Sequence, residues 1–384
     1  MIAYTYYSRD PRVKREAEAL LNHGHKVDVI ALDDELHPSS SEYGIQLISV
    51  PMKRRRGGFA AYVFNYLAFF FFSTFFVTYY SIVKNYDIVF VHNMPDFLIF
   101  SGFFPKLFGT KLILDVHDPM PELFSAIYGW DMNSFFIKII ILQAKISYGF
   151  ADKMLTAQEG VRDILVDRGV SRHKIEVIHN LPDENIFTKG RAKLRTDNRA
   201  SFNLVYTGTV APRHGLDIAI EAVNLLREEI PEIQFRIIGE GPDIPRLKAL
   251  AREKNLEEKI IFEGVVPLER IPDYLVDSDV CVVSYLNGRY GDLLFPTKVF
   301  ESLMVGLPVV CSRTKIVLRY LDESMLFLFK SGDKEDLADQ IRLVYSDKQL
   351  VEKKIQCAYE FFNTMRWETE KRKLVRIIDG ISAK

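Results

Sequence analysis

Short apolar runs rich in β-branched residues alternate with longer amphipathic segments along most of the chain. The short runs predict buried strands and the longer segments predict helices, and their alternation is typical of βαβ units with parallel sheets. The fold class is therefore α/β, with two doubly wound sheets. Strands are predicted at 2–6, 26–32, 45–50, 87–92, 111–117, 153–157 and 175–180, and then at 203–210, 233–241, 259–266, 279–285 and 308–312.

A charged segment with few apolar residues, TKGRAKLRTDNRAS, interrupts the alternation at 188–201 and has the composition of an exposed linker. The 384 residues of the chain exceed what one ordinary core holds. We predict Rossmann-like domains at 1–187 and 202–360, and a terminal helix, within a helical stretch at 350–381, whose segment 361–384 packs back on the first domain. Ligands of such sheets bind at the carboxyl ends of the strands, here expected around one central cleft.

An apolar segment precedes the fourth predicted strand. Residues 59–83 carry no charge, and they lie between the basic run KRRR at 53–56 and Lys84. The segment is long enough to span a bilayer, but a span would place the strands at 2–6 and 87–92 on opposite sides of the membrane. We expect a helix that lies in the interface of an anionic leaflet. The alternatives are burial by the following helices or by a second copy of the chain.

Charge and cysteine content narrow the class of protein further. The chain has 50 basic and 51 acidic residues, so no global field recruits nucleic acid. Cys281, Cys311 and Cys357 are few, widely spaced and odd in number, which suits free thiols in a reducing compartment. The N-terminal residues do not form a signal-peptide pattern. We expect a cytoplasmic protein that associates peripherally with the cytoplasmic membrane face.

Two glycine-containing loops follow predicted strands of the second domain. In VYTGTVAPRHGLDIAIEAV a strand ends at Gly208 and a helix begins near Gly215, with Arg213 and His214 between them. A helix N-terminus beside an arginine is a site for anions, and glycine lets a ligand approach the backbone amides. The loop in IIGEGPDIPRLKAL, with Gly239, has the same character. Glycine is also common in such loops for structural reasons alone.

The stretch FPTKVFESLMVGLPVV, from position 295, carries more information. Pro296 suits the first helical turn, which places Lys298 and Glu301 on one face near the helix start. A lysine beside free backbone N–H groups suits a diphosphate, and a carboxylate one turn later can accept hydrogen bonds from a ribose diol. The alternative is an ordinary surface ion pair, but the surrounding apolar residues leave little room for an exposed face.

These stretches resemble the donor site of the GT-B glycosyltransferases of family 4, in the variant in which P-x-K-x-x-E precedes GxPVV. The resemblance extends over nearly the whole chain. RDPRVKREAEALLNHGHKVDVIAL is similar to the first βαβ unit of the family, YDIVFVHN and KLILDVHDPMPELF to its fourth and fifth strands, and VIHNLPDENIF to the end of its N-terminal domain. TGTVAPRHGLDIAIEAV, IIGEGP and IPDYLVDSDVCVVSY match its nucleotide-sugar domain in order.

The resemblance implies a retaining hexosyltransferase. Its donor, a nucleotide-diphosphate sugar, would be bound by the second domain, and its acceptor, a lipid-linked or envelope-polysaccharide molecule, by the first. By position, Glu301 would hold the ribose, Lys298 and Arg213 the diphosphate, and His117 in LDVHD would contact the transferred sugar. Neither a metal nor a cofactor is implied, because basic residues and helix N-termini can stabilise the departing diphosphate.

The chain departs from the family pattern at two places. The glutamate that the family has eight positions before Glu301 is replaced by Leu293, and Asp292 is one step out of register. Thr209 and His214 stand where the family has an arginine and a lysine. Arg213 and Lys298 would then carry more of the phosphate charge.

The remaining candidates lie in the first domain. Arg12 and Lys14 follow the first strand and are candidates for an acceptor phosphate, with solvated helix charges as the alternative. Asp118 is placed to orient His117 or to activate the acceptor hydroxyl, with a helix-capping role as the alternative. Two other classes of function stay open beside the transferase. These are an epimerase or hydrolase of the same architecture, and an inert scaffold that binds a nucleotide sugar.

Overall fold

The computed structural model describes residues 1–33, 44–53, 59–187, 201–288 and 290–382, with the backbone alone at 59 and 60. Two compact units are present, one of Met1–Asn180 with Glu368–Lys384 and the other of Leu181–Trp367. Of the predicted linker at 188–201 and the basic run at 53–56, all but Ser201 and Lys53 lie outside the described residues.

A seven-stranded parallel sheet forms the centre of the first unit, in the order β3-β2-β1-β4-β5-β6-β7. The order reverses between β1 and β4, and such a switch point is where open α/β sheets bind ligands. All seven strands were predicted, and each observed strand falls within its predicted range. Their bounds are β1 Ile2–Ala3, β2 Asp28–Leu32, β3 Gln46–Val50, β4 Ile88–His92, β5 Lys111–Val116, β6 Lys153–Thr156 and β7 Ile175–Val177.

Helices of the first unit cover this sheet, and several of them share one apolar core with it. Tyr66 and Phe69 are buried in this core, and both pack on Tyr4 at the end of the first strand, with ring centroids 5.0 and 5.2 Å apart. The helices before the second unit are α1 Pro11–Asn22, α2 Phe59–Lys84, α3 Phe103–Leu107, α4 Met120–Tyr128, α5 Phe135–Phe150 and α6 Glu159–Asp167.

Helix α2 forms as predicted, and by length and composition it is able to cross a membrane. Its buried residues include Tyr66, Phe69, Ser73 and Val77, which recur every three or four positions and therefore form one stripe. This stripe lies against the sheet, so the helix is held to the first unit along its length. Much of its remaining surface is exposed and apolar, with Phe64 70% and Ile82 76% accessible.

The second unit contains a six-stranded parallel sheet in the order β10-β9-β8-β11-β12-β13. Five of its strands were predicted, and the sixth, β13, was missed. The strands are β8 Phe202–Thr207, β9 Ile233–Ile238, β10 Ile260–Gly264, β11 Val280–Val283, β12 Val309–Ser312 and β13 Phe327–Phe329. The helices are α7 Leu216–Leu226, α8 Ile244–Glu253, α9 Ile271–Val276, α10 Thr297–Val305, α11 Lys315–Tyr320, α12 Lys334–Ser346 and α13 Lys348–Phe362.

The C-terminal end differs from the prediction of one helix at 350–381. Helix α13 ends at Phe362, where the backbone N–H of Asn363 bonds back into its last turn, and α14 spans Trp367–Ser382. Helix α14 packs on the first unit through Glu370, which accepts hydrogen bonds from the backbone N–H and the Nδ1 of His179, at 3.1 and 3.0 Å. The return to the first unit therefore begins at Glu368 and not at position 361.

Candidate functional site

Lys298 lies near the start of α10, whose first residue is Thr297 and whose N-cap is Pro296. Its ammonium donates a hydrogen bond to the Tyr206 hydroxyl at 3.0 Å and lies 4.4 and 5.0 Å from the ring centroids of Tyr206 and Tyr285. Burial lowers the pKa of Lys298 to about 8. Among the residues that the structure describes, no carboxylate lies within ion-pair distance of this ammonium. The lysine is therefore a half-buried cation held by hydroxyl and ring partners.

Two glycine loops are packed directly against this lysine and against each other. Gly208 has a φ of +116°, and a Cβ built on it would lie 3.3 Å from Cε and Nζ of Lys298. A Cβ on Gly239, whose φ is +134°, would lie 2.0 Å from the carbonyl oxygen of Gly208. A side chain at position 239 would force the two loops apart, and the positive φ of Gly208 disfavours any other residue there. The structure thus brings the predicted donor residues Gly208, Gly239 and Lys298 together.

His214, which stands where the resemblance implies a lysine, belongs to the same cluster. Its Nδ1 hydrogen-bonds the carbonyl oxygen of Thr209 and lies 2.8 Å from the hydroxyl of Tyr206. Burial, aided by the nearby cations Lys298 and Arg213, lowers the pKa of His214 to about 2. The imidazole is therefore neutral and adds no charge to the cluster.

Arg213 and Glu301 border the same cluster. The Arg213 guanidinium lies over the ring of Tyr290, with Cζ 5.5 Å from the centroid, and its buried Nε has no hydrogen-bond partner among the described residues. Glu301 is half-buried on α10, one turn after Lys298. The two predicted cations thus lie near one another, and each lowers the pKa of His214.

The residues at the position of the missing family glutamate have structural roles. Leu293 is buried. Asp292 accepts a hydrogen bond from the backbone N–H of Lys315, at 3.2 Å, and so stabilises the first turn of α11. The carboxylate of Asp292 is therefore engaged next to the position where a sugar contact was expected.

A second cluster lies at the carboxyl ends of β4 and β5 in the first unit. His92 and Asp115 face each other in register on these strands, and His117 follows β5. The Nε2 of His117 lies 2.8 Å from Oδ2 of Asp115 and 3.1 Å from Nδ1 of His92, and that Nδ1 lies 3.3 Å from the same carboxylate oxygen. A buried carboxylate therefore orients both imidazoles. The His117 side chain is the partly exposed member, with 21% of its surface accessible.

Arg12 lies beneath this cluster and does not point to solvent. Its guanidinium donates to Oδ1 of Asp115 at 2.6 Å and to Oε1 of Glu16 at 3.0 Å, and all three side chains are buried. Burial alone would raise the pKa of Asp115, but Arg12 and His117 outweigh it and hold that pKa well below the usual range. Burial and the neighbouring Asp115 raise the pKa of Glu16. Arg12 therefore holds Asp115 in place, and its predicted role in acceptor binding stays a prediction.

Asn93 fixes the loop that carries the other two candidates of this cluster. Its Oδ1 accepts a hydrogen bond from the backbone N–H of His117 at 2.8 Å, and its Nδ2 donates to the carbonyl oxygen of Asp118 at 2.7 Å. Asp118 is not the N-cap of α4, because that position is held by Pro119 without a side-chain cap. Lys14 lies on α1, half-buried, and its predicted role in acceptor binding stays a prediction.

The three groups His92, Asp115 and His117 form the one candidate metal-ligand cluster in the described part of the chain. One ligand atom from each lies within 4.8 Å of the others. The side chains contact one another and Arg12, yet Nε2 of His92 and Oδ2 of Asp115 are buried without a hydrogen bond among the described residues.

Both halves of the chain match known families. The description "Glycosyltransferase Family 4" matches residues 12–185, and "Glycosyl transferases group 1" matches residues 201–347. The chain belongs to these glycosyltransferases. One relative, from Arabidopsis thaliana, is named as part of a phosphatidylinositol N-acetylglucosaminyltransferase. It is 22% identical over 341 residues, which are 86% of this chain and 69% of that protein.

A second relative of this chain is a putative colanic acid biosynthesis glycosyltransferase, WcaL of Escherichia coli. It is 29% identical over 160 residues, 41% of this chain, and the match spans 39% of the relative's own length. Among solved structures, the sucrose-phosphate synthase of Thermosynechococcus elongatus has a TM-score of 0.77 at 18% identity, covering 100% of this chain and 99% of that one. Anabaena HepE in complex with UDP-glucose has a TM-score of 0.72 at 15% identity, covering 99% of both chains. The likeness to these structures shows a GT-B fold.

Several residues of the two clusters were not predicted from the sequence. Tyr206 and Tyr285 carry no periodic signal, because each is an aromatic residue at a strand end that could equally belong to the core. His92 and Asp115 were detectable in principle, since each is a polar residue near the end of an otherwise apolar strand. Placing parallel strands side by side in register would have paired them.

Proposed function

We propose that the protein is a retaining glycosyltransferase that moves a sugar from a nucleotide-diphosphate sugar to a lipid-linked or cell-envelope polysaccharide acceptor. The observation that carries the proposal is the Lys298 ammonium, a half-buried cation with no ion-pair partner among the described residues, beside Gly208. A partly buried cation without a counterion favours an anionic ligand, because the ligand replaces the stabilisation that water gave the charge.

The donor class follows from the charge and shape of this cluster. Lys298 and Arg213 would neutralise the diphosphate, the backbone at Gly208 and Gly239 would approach it closely, and Glu301 would accept hydrogen bonds from the ribose. The complex of HepE with UDP-glucose, a protein of the same fold, supports a nucleotide sugar as the donor.

The reaction requires charge stabilisation at the departing diphosphate. Lys298, Arg213 and backbone N–H groups would supply it, so we propose transfer without a metal. In the first unit, His117, held by Asp115, would contact the transferred sugar, and Asp118 would orient His117 or help to activate the acceptor hydroxyl. Retention would then follow from attack on the face from which the diphosphate leaves, without a carboxylate nucleophile of the glycosidase kind.

The acceptor class and the location rest on different observations. The relative named for phosphatidylinositol N-acetylglucosaminyl transfer supports a lipid acceptor, and the one named for colanic acid biosynthesis supports an envelope polysaccharide. The exposed apolar surface of α2 supports peripheral attachment to the cytoplasmic membrane face.

The test is a product assay with a panel of nucleotide sugars, with and without a lipid extract as acceptor. Acceptor-dependent release of a nucleoside diphosphate, with a glycosylated product of unchanged anomeric configuration, is the expected result. Free sugar or an altered donor without acceptor would instead favour an epimerase or hydrolase. Donor binding in a thermal-shift assay without any turnover would favour an inert scaffold.

A further inference from the structure

Helix α5 exposes an apolar stripe although it lies outside the segment that the sequence singled out. Phe135, Ile139, Leu142 and Ile146 follow one another at spacings of four, three and four residues, and therefore lie on one side of the helix. All four are exposed, from 47% at Ile139 to 73% at Phe135. The helix is thus apolar on the side that faces away from the core as well as on the side that is buried.

Helices α5 and α2 present their exposed sides in the same direction. Ile137 and Ile140 of α5 are buried in the same core cluster as Tyr66 and Phe69 of α2. Both helices therefore cover the same face of the first sheet, and their opposite sides both point away from it.

The α3 segment, residues 96–108, contains α3 and the 3-10 helix Asp96–Gly102 before it, and it joins the two helices. Phe103 stacks on Phe150 at the end of α5 with centroids 6.2 Å apart, and Phe70 of α2 packs on Phe97 at 5.8 Å. This segment adds its own exposed apolar side chains, of which Phe108 is 85% accessible. We call the combined surface the three-segment face. Its exposed members are Val63, Phe64, Leu67, Phe71, Phe72, Phe75, Tyr79, Ile82 and Val83 in α2, Phe103, Phe104, Leu107 and Phe108 around α3, and Phe135, Phe136, Ile139, Leu142 and Ile146 in α5.

The charges on α5 have one sign. Lys138 and Lys145 are exposed and lie seven residues apart, so they flank the apolar stripe on one side. Neither 59–83 nor 135–150 contains an aspartate or glutamate. A surface that is apolar with a cationic border complements a bilayer that contains anionic lipid, because lysine stems reach outward from an apolar seat to the headgroups.

We propose that the three-segment face is the surface by which the protein binds an anionic lipid bilayer. In this proposal α5 and the α3 segment contact lipid as α2 does. The proposal rests on the proposed function in so far as that function supplies a lipid-linked acceptor. A second copy of the chain fits the face less well. In a symmetric dimer through this face, Lys138 and Lys145 would lie near the same lysines of the other copy, and α5 and 59–83 offer no acidic partner. The buried stripes hold both helices to the sheet, so only their outer sides enter the lipid.

The experiment measures flotation of the full chain with phosphatidylcholine vesicles that contain about one third phosphatidylglycerol. The variant L142E/I146E places two charges in the α5 stripe. The matched control, L225E/L318E, changes two leucines of the second unit that are 45% and 48% exposed. We expect the α5 variant to bind vesicles at least about tenfold more weakly than the wild type, because each charge opposes insertion, and the control to bind as the wild type does.

A second variant, K138Q/K145Q, tests the charge. We expect its binding to fall on the anionic vesicles and to stay unchanged on pure phosphatidylcholine. Wild-type flotation of the α5 charge variant would overturn the proposal. So would a wild-type dimer in vesicle-free solution that the same variant dissociates, because the face would then belong to a second copy.

Failure of this inference and failure of the proposed function give different results. Loss of flotation by L142E/I146E, with an unchanged melting temperature and an unchanged thermal shift by nucleotide, supports the proposed membrane-binding surface and leaves the donor site intact. If the wild type floats but neither binds nor transfers any nucleotide sugar, the proposed function is wrong and the proposed membrane-binding surface is still supported.

Discussion

The clusters at the carboxyl ends of the two sheets differ in how their charges are paired. In the first unit the Arg12 guanidinium contacts two carboxylates, and Asp115 also contacts both imidazoles of the cluster. In the second unit the contacts of Lys298 with described residues are a hydroxyl and two rings, and the neighbouring His214 is neutral. Arg12 therefore has two carboxylates within ion-pair distance, whereas Lys298 has none among the residues that the structure describes. On the proposed function, the first cluster would orient His117 at the transferred sugar, and the second would stabilise the charge of the diphosphate.

The largest effect is expected from removing the paired carboxylate of the first unit. The substitution Asp115→Asn removes one of the two buried carboxylates that the Arg12 guanidinium contacts, and we expect the free energy of unfolding to fall by about 3–5 kcal/mol. Denaturant unfolding measures it. The exposed surface carboxylate Asp379, which pairs with His23 and His25, is the control, and Asp379→Asn should cost at most about 1 kcal/mol. Equal losses in the two variants would show that the buried pairing has no special weight.

Substitutions in the cluster around Lys298 should lower the activity and leave the stability nearly unchanged. We expect Lys298→Ala and Glu301→Gln each to lower kcat/KM by about 10²–10³-fold, because each removes a contact to the donor. The melting temperature should stay within a few degrees of the wild type. Lys315→Ala, on the exposed start of α11, is the matched control and should be active. Near-normal turnover in both site variants would refute the assignment of this cluster to the donor.

His179 gives the pH dependence expected of a paired cation. Burial alone would lower its pKa, but hydrogen bonds with Glu159 and Glu370 raise it to about 9. Because the pKa is raised in the folded state, the stabilisation is complete below the unfolded value near 6.5 and is lost as the pH rises through 9. We expect His179→Gln to cost up to about 3 kcal/mol at pH 6 and much less at pH 10, measured by unfolding. A constant difference across this range would contradict the ion pairing.

The pKa of Lys298 is shifted in the opposite direction to that of His179, and the shift affects ligand binding. Its pKa is lowered by burial to about 8, and a bound diphosphate would raise it, so binding takes up a proton above pH 8. We expect the Kd for a nucleoside diphosphate to rise by up to about tenfold per pH unit above 8. Calorimetry in buffers of different ionisation enthalpy would detect the uptake. Lys298→Arg, whose charge does not titrate in this range, should abolish that slope.

The smallest effect is expected from metal removal. If the cations of the second unit stabilise the departing diphosphate, exhaustive chelation should leave the transfer rate unchanged. The rate after dialysis against a chelator, and after adding back divalent ions, measures this. A loss that Mg²⁺ or Zn²⁺ restores would instead assign a metal role to the cluster of His92, Asp115 and His117.

Most of the fold was predictable because parallel strands are buried on both faces and read as apolar runs. The strand β13, Phe327–Phe329, was missed because three residues within a longer apolar stretch give no period. The break between α13 and α14 was missed because the helical pattern continues through Asn363 without a proline or glycine. Local sequence does not show that the two helices belong to different units.

The candidate site was predictable only where residues share one local element. Lys298 and Glu301 are three positions apart, so helix geometry alone relates them. Arg12 was placed at the correct strand end, but its partner Asp115 is 103 residues away, and the burial of both depends on packing that one sequence does not display. The exposed stripe of α5 was missed because a helix with apolar residues on two opposite sides reads as a buried one.

The close packing of the loops after β8 and β9 has a consequence for how such a site can change. A Cβ on Gly241 would lie 1.8 Å from the carbonyl oxygen of Val210, and the conflict between Gly239 and Gly208 is equally severe. A molecule bound there would meet main-chain atoms, which are identical in every residue type. On the proposed function this backbone would line the diphosphate, and a side chain at position 239 or 241 could not be added without moving the loops. Selection for a new sugar would have to act on neighbouring side chains, of which Leu293 is already one departure.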